Sequence, residues 1–368
     1  MGSKIKVGLV YGGKSGEHEV SLQTAFAVMG QFDYSKYEIK PFYITKQGEW
    51  KTSAARTSCP ESVEELKHEN GDALPTSEAI ASIFQKLSDQ AEPNERIDVM
   101  FPLLHGTFGE DGTIQGLFEM ANMPYVGAGV LASAVGMDKI LMKKVFAQEE
   151  LPQCVYRYFN RTQWEKDASY FIMECEVALG YPCFVKPANL GSSVGISKAS
   201  NREELIQAVN YALRFDRKVI VEEFIDAREI EVSVLGNDEA KPSLPGEIIS
   251  SHDFYDYNAK YTDGKSRMQI PAELPEETIQ AVRDMAVRAY QGIDGSGLSR
   301  VDFFLRKSDG KLFINEVNTM PGFTPFSMYP LMWKETGISY KELLDTLIEL
   351  AFARHRDKQR IDFAGASV

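Results

Sequence analysis

The chain has 368 residues, 43% hydrophobic and 25% charged, with a formal net charge of -13. That length calls for more than one hydrophobic core, and the composition excludes disordered, fibrous and disulfide-stapled classes. The acidic balance opposes a nucleic-acid partner, because phosphate backbones are held by basic surfaces, and no apolar run reaches the roughly 20 residues of a membrane span.

The opening, Met1 to Val7, lacks the apolar core and cleavage site of a signal peptide, so the expected location is cytoplasmic. Strand-like and helix-like runs then alternate at 6–11, 20–31, 37–44, 97–104 and 116–120, the pattern of a parallel sheet with covering helices. Residues 52–94 are polar, acidic and weakly patterned; they predict a surface insertion with one helix near 77–87 and no chemistry. From Met137 the texture changes to a helix reaching 151, a strand at 153–159, a helix ending near 180 and a hairpin over 182–198. Strands at 218–223, 229–235 and 246–250 follow. The tract 251–274 is long, polar and aperiodic, as functional lids are. A helix at 275–291, a strand pair about Asp309-Gly310 and two C-terminal helices complete the chain. The expected fold class is α/β with α+β units, in three parts: 1–136, 137–226, and 227–368 with the lid.

Cys59, Cys154, Cys175 and Cys183 show no CxxC spacing and predict buried free thiols. The five histidines show no HxxxH pair, so a metal would be a hard cation on carboxylates and phosphate, which points to magnesium.

Gly8 to Ser15 satisfies the letter of the phosphate-loop pattern GxxxxGK[ST], yet Leu9, Val10 and Tyr11 continue an apolar strand past the first glycine. The turn therefore belongs at Gly12-Gly13, where a ligand could approach the following helix N-terminus. Glu19, in the first helical turn, fits either a solvated partner of the helix dipole or a partner for a cationic ligand group.

The strongest chemical signal runs from Arg300-Val301-Asp302 through Ser308-Asp309-Gly310 to Asn315-Glu316-Val317-Asn318. A three-residue loop at Ser308-Asp309-Gly310 would pair Lys307 with Lys311, Asp302 with Glu316 and Arg300 with Asn318, and would put those last four side chains on one face. A two-residue Asp-Gly turn would shift the register and scatter them. Two carboxylates and an amide at close quarters suit magnesium, with phosphate oxygens completing its shell. The turn after Asn318 offers backbone N–H groups that could cradle an oxyanion beside Arg300. A second signal joins Lys186, in an apolar strand, to the loop Gly191-Ser192-Ser193, a point charge and flexible donors for phosphate. In a third, a strand ending at Glu222-Glu223 leads to Ile225 and Glu229, where strand-edge backbone could read a purine and a carboxylate a ribose.

Taken in order, these segments resemble the D-alanine:D-alanine ligases of the ATP-grasp superfamily. The resemblance spans nearly the whole chain through Gly12 to Ser21, His105 to Thr113, Met137-Asp138-Lys139, Lys186 to Gly195, Glu222 to Glu229, Tyr255 to Tyr261 and Arg300 to Ser327. It implies an enzyme of three α/β domains that joins two D-alanines through a D-alanyl phosphate, for peptidoglycan synthesis, releasing ADP and phosphate. Lys139, Lys186, Ser193, Glu222, Glu223, Ile225 and Glu229 would bind ATP. Asp302, Glu316 and Asn318 would hold two magnesium or manganese ions, with a monovalent cation such as potassium left open. Glu19 would pair with the first D-alanine's ammonium, and His105 would lie beside that substrate. Ser327 would take the second carboxylate, Arg300 and the Gly322 N–H would form the oxyanion site, Ser192 would act from the glycine loop, and Lys260 and Tyr261 would close from the lid. A homodimer is the family's usual state. A D-alanine:D-lactate ligase is the nearest alternative, and a dehydrogenase is opposed by the missing GxGxxG.

Overall fold

The computed structural model describes residues 4–68, 74, 76–84, 96–191, 194–249 and 267–362. Three sheets organise them. The first contains β1 (Ile5–Gly12), β2 (Tyr37–Ile44), β3 (Trp50–Thr52) and β4 (Val99–Pro102) in the order β3-β2-β1-β4. β1 runs parallel to both β2 and β4, and β3 returns antiparallel to β2. Both faces of β1 are covered, which explains its unbroken apolar run. Val7, Leu9 and Tyr11 pack with Leu22 and Ala25 of α1 (His18–Met29), while Val10 packs opposite with Phe118 of α3 (Thr113–Met120).

In the stretch 52–94, read as a polar surface insertion with one helix, the described residues include a helix and buried anchors. Leu66 is wholly buried in the core beneath α1, with its carbonyl accepting from Tyr11 Oη at 3.0 Å. Ala79 and Ile83 of α2 (Thr76–Ile83) enter the opposite core. A few apolar side chains spaced along a polar stretch are enough to anchor it.

The second sheet is antiparallel, β5-β8-β6-β7, from β5 (Tyr156–Asn160), β6 (Cys183–Pro187), β7 (Ser197–Ala199) and β8 (Lys218–Glu223). The single helix expected before residue 180 is two, α6 (Arg161–Lys166) and α7 (Ala168–Ala178), because Asp167 caps the second through the Tyr170 N–H at 3.0 Å. A further helix, α8 (Arg202–Ala212), capped by Asn201, covers the same core.

The third sheet runs β12-β11-β9-β13-β14, with the two-residue β10 (Lys241–Pro242) beside β9. Its strands are β9 (Ala227–Gly236), β11 (Gly246–Ile249), β12 (Arg267–Gln269), β13 (Gly297–Arg306) and β14 (Leu312–Asn318). Alternation sorts them: Ile230, Val232, Val301 and Phe303 face a core shared with α5 (Lys139–Gln148) and α9 (Glu276–Gly292), which leaves Glu229, Glu231, Arg300 and Asp302 on the opposite face. Asp138 ends α4 (Val130–Met137) and caps α5 by accepting from Ile140 and Leu141 N–H at 3.1 Å. α10 (Met328–Glu335) and α11 (Tyr340–Lys358) close the chain, α11 lending Leu343, Leu344 and Leu347 to the core of the first sheet. Among the described residues no helix is long and apolar enough to cross a membrane. The cysteines are free; three are buried, but Cys59 is exposed, contrary to expectation, in the loop that follows β3. The lid tract 251–274 lies outside the described residues up to 266, and 267–269 form β12 instead of loop.

Candidate active site

The phosphate-loop pattern at Gly8 is only apparent. β1 continues to Gly12, and Gly12 and Gly13 turn the chain at φ +91° and +97°. A side chain at Gly12 would run into the Ile44 carbonyl, so this is a tight strand-to-helix turn.

The hairpin from β13 to β14 brings together the predicted residues by a different route. Arg306 N–H donates to Lys311 O at 3.0 Å, which makes the loop four residues, 307–310, instead of three. That longer loop alone would misalign the acidic pair. A bulge at Asn315 restores the register, so Phe303 faces Ile314 but Asp302 faces Glu316 and Arg300 faces Asn318. Arg300 grips both Asp302 oxygens at 2.7 Å and lies 3.1 Å from Glu231, while Asn318 Nδ2 donates to Asp302 at 2.9 Å.

Glu231, Asp302, Glu316 and Asn318 line one wall of a cleft. Lys139 and Lys186 line it too, with Glu229 of β9. Lys139 Nζ donates to Leu190 O at 2.8 Å and stands 3.9 Å from Glu316. Lys186 Nζ lies 2.5 Å from Glu222, whose side chain is buried. Glu223 is tied to Val155, donating its N–H at 3.0 Å and accepting Val155 N–H on Oε1 at 2.7 Å. Ile225 lies in the three-residue link 224–226 from β8 to β9. Ser192, Ser193, Lys260 and Tyr261 lie outside the described residues.

Glu19 is misplaced by the sequence reading. It is 62% exposed and paired at 2.7 Å with Lys46, itself 59% exposed. Glu17, two residues earlier, is buried on the other side of the helix start. A Cβ added to Gly106 would come within 2.7 Å of its carboxylate, and one added to Gly191 within 3.5 Å. Glu17, not Glu19, therefore faces the glycine loop. Helical spacing carries the signal: Glu17 shares a face with buried Ser21 and Thr24, Glu19 with exposed Gln23. Glu110 is a second residue that the sequence reading missed. It lines the cleft and accepts the Gly106 N–H at 2.6 Å, and burial together with the Glu17 charge pushes its carboxyl up to about 8. His105 is buried with both ring nitrogens 3.3 Å from protein atoms, Met320 O and Thr24 Oγ1, and burial lowers its pKa. Farther along, Ser327 precedes α10 without capping it; its hydroxyl turns back to Thr324, accepting that N–H at 3.1 Å. A Cβ on Gly322 would stand 3.0 Å from the same hydroxyl.

Two family models match, "D-ala D-ala ligase N-terminus" over residues 6–128 and "D-ala D-ala ligase C-terminus" over residues 145–349. The chain belongs to the D-Ala-D-Ala ligase family. It is 54% identical over 361 residues to the D-alanine–D-alanine ligase of Bacillus cytotoxicus, covering 98% of this chain and 99% of that one. It is likewise 54% identical over 355 residues to the Bacillus velezensis enzyme, covering 96% and 99%. Among solved structures it is similar to the D-alanine-D-alanine ligase of Coxiella burnetii, with a TM-score of 0.80, 32% identity and coverage of 98% and 97%. It also resembles the VanG D-Ala:D-Ser ligase of Enterococcus faecalis, with a TM-score of 0.82, 36% identity and coverage of 95% and 100%.

An ATP-dependent ligase of this family calls for a divalent cation, and the donors here fit one. Among the described residues no three His, Cys, Asp or Glu side chains converge as a ready-made cluster. The facing carboxylates Asp302 and Glu316, with the Asn318 amide, are a partial oxygen set of the kind that magnesium completes with substrate phosphates.

Proposed function

We propose that this chain ligates two D-alanines, activating the first as an acyl phosphate at the expense of ATP. The observation that carries the proposal is a single cleft with Lys139 and Lys186 opposite the Asp302–Glu316 pair, and with Glu110 and Gly191 leading to Glu17. Cations and carboxylates on opposite walls suit a metal-bound triphosphate, and a buried carboxylate at the far end suits an ammonium.

Phosphoryl transfer to a carboxylate needs positioning and charge neutralisation more than a protein nucleophile. Glu17 holds the first D-alanine by its ammonium, a correction to the role expected of Glu19, and His105 supports that loop. Lys139 and Lys186 draw the phosphates, Glu223, Ile225 and Glu229 seat the nucleoside, and Glu222 serves ATP only through the ammonium of Lys186 that it holds. Asp302, Glu316 and Asn318 would hold magnesium or manganese, which supplies charge neutralisation at the phosphates. Ser327 and the open N-terminus of α10 suit the second carboxylate. The second D-alanine's neutral amine attacks the acyl carbon and builds an oxyanion for Gly322 N–H and Arg300, whose named bonds to Asp302 use two of its five N–H groups. Collapse of that adduct breaks the acyl C–O bond and releases phosphate, with the amine's extra proton lost. Ser192, Ser193, Lys260 and Tyr261 complete the closing segments. Three functional domains, 1–136, 137–226 and 227–368, cytoplasmic location, homodimerisation and potassium dependence belong to the same proposal.

The test is phosphate release from ATP with D-alanine, D-serine, D-lactate or L-alanine as second substrate, with products identified. D-Alanyl-D-alanine as the main product is expected; no ADP formation with D-alanine would overturn the proposal.

A further inference from the structure

Behind the phosphate-facing wall lies a charge that the reaction does not itself call for. Lys143 on α5 is 1% exposed, and its Nζ stands 2.9 Å from Glu222 Oε1, while Lys186 Nζ stands 2.5 Å from Oε2 of the same carboxylate. Lys143 also donates to Cys154 Sγ at 3.4 Å and lies 5.6 Å from the Tyr156 ring centre. It does not line the cleft, which Lys139 and Lys186 do.

Such a trio is costly to bury unless its charges offset one another. Burial works against the ammonium groups, yet Glu222, joined by Cys154 at Lys143 and by Glu316 at Lys186, outweighs it and holds both lysines above their ordinary range. Burial would likewise raise Glu222, but the two lysines hold it well below the usual carboxylate range. All three stay charged near neutrality, with one positive charge to spare. If Glu222 faced Lys186 alone, the pair would present no net charge to a ligand. Lys139 and Lys143 lie one helical turn apart, so α5 carries one ammonium to the cleft and one to the buried Glu222.

We propose that Lys143 is a positioning residue for ATP: it offsets Glu222 from behind, so that Lys186 meets the triphosphate with its positive charge uncompensated. This inference rests on the phosphate role given to Lys186 above. It makes the buried Lys143–Glu222 contact part of nucleotide binding and not merely of the core.

The experiment is calorimetric binding of MgATP and of adenosine to the full chain, with steady-state kinetics. Lys143→Met keeps similar volume and leaves Glu222 paired with Lys186. It is expected to weaken MgATP binding about tenfold, as coupled charges in one network do, with adenosine binding little changed and KM for ATP rising more than kcat falls. Lys143→Met/Glu222→Gln restores the spare positive charge and should recover most of the lost ATP affinity. Parental ATP affinity in Lys143→Met, or a double variant that binds no better than the single, overturns the proposal. Lys186→Met separates the two readings. If it keeps parental ATP affinity, the phosphate role of Lys186 fails; if it loses affinity while Lys143→Met does not, only the Lys143 inference fails. Should Lys143→Met not fold by circular dichroism, the double variant decides, with near-parental ATP affinity expected. A double variant that folds without binding ATP, or does not fold, overturns the proposal.

Discussion

Lys139 Nζ stands 3.9 Å from Glu316 Oε2 while donating to Leu190 O at 2.8 Å. One ammonium thus links the first turn of α5, the loop after β6 and the acidic hairpin, three segments far apart in the chain. Its neighbours in the cleft are the groups whose removal is most informative.

Glu316→Gln removes one carboxylate and leaves the Arg300–Asp302–Asn318 bonds in place. The fold should persist, while turnover falls on the order of 100-fold with a raised magnesium requirement. Magnesium titration of the rate is the measurement; near-normal turnover at modest magnesium would remove the metal assignment.

Glu17→Gln and Glu19→Gln should part company. The first is expected to cut kcat/KM for the first D-alanine by about 100-fold, the scale of a charge-assisted contact. Glu19 forms only an exposed pair with Lys46, so its loss should stay within about twofold. Equal effects in substrate-saturation kinetics would return the role to Glu19.

Glu110 should leave a mark on stability versus pH. Its carboxyl is pushed from the ordinary 4.5 up to about 8 by burial and the Glu17 charge. Between those values the unfolded chain releases a proton that the folded chain keeps, so this group makes stability fall as pH rises from 4.5 toward 8. Glu110→Gln can still accept the Gly106 N–H and removes the titration. Chemical denaturation across this pH range should show a flatter profile in the variant, with its largest gain over the parent at the alkaline end. A slope matching the parent's would mean that Glu110 is ionised throughout.

Arg354 fastens α11 to the first sheet's end: it stacks 4.2 Å from the Tyr125 ring centre and donates to Tyr125 O at 3.0 Å, to Ser296 Oγ at 2.6 Å and to Gly127 O. Arg354→Ala should destabilise by about 2–4 kcal/mol, since carbonyls lose partners together with the stack. Thermal unfolding should show one lowered transition; an unchanged midpoint would mean that solvent replaces the contacts.

The local chemistry was legible in the sequence because it depends on short-range pattern. The β1, β2 and β8 runs, the glycine turn, Lys186 and the set Asp302, Glu316 and Asn318 follow from periodicity, residue type and spacing, whereas Lys139 came from the family resemblance. Facing of Asp302 and Glu316 was also foreseen, though through a three-residue loop; the real loop has four residues, and the Asn315 bulge compensates. A bulge leaves no clear mark in sequence, because any residue can be the extra one where backbone pairing on both sides is favourable. Glu17 and Glu19 differ by less than a turn of helix, so the choice between them waited on which side of α1 meets the glycine loop. Likewise, nothing local distinguishes Lys143 from a surface lysine. Only the packing of α5 against β8 removes it from water and sets it against Glu222, since burial and charge pairing are properties of elements brought together from distant parts of the chain.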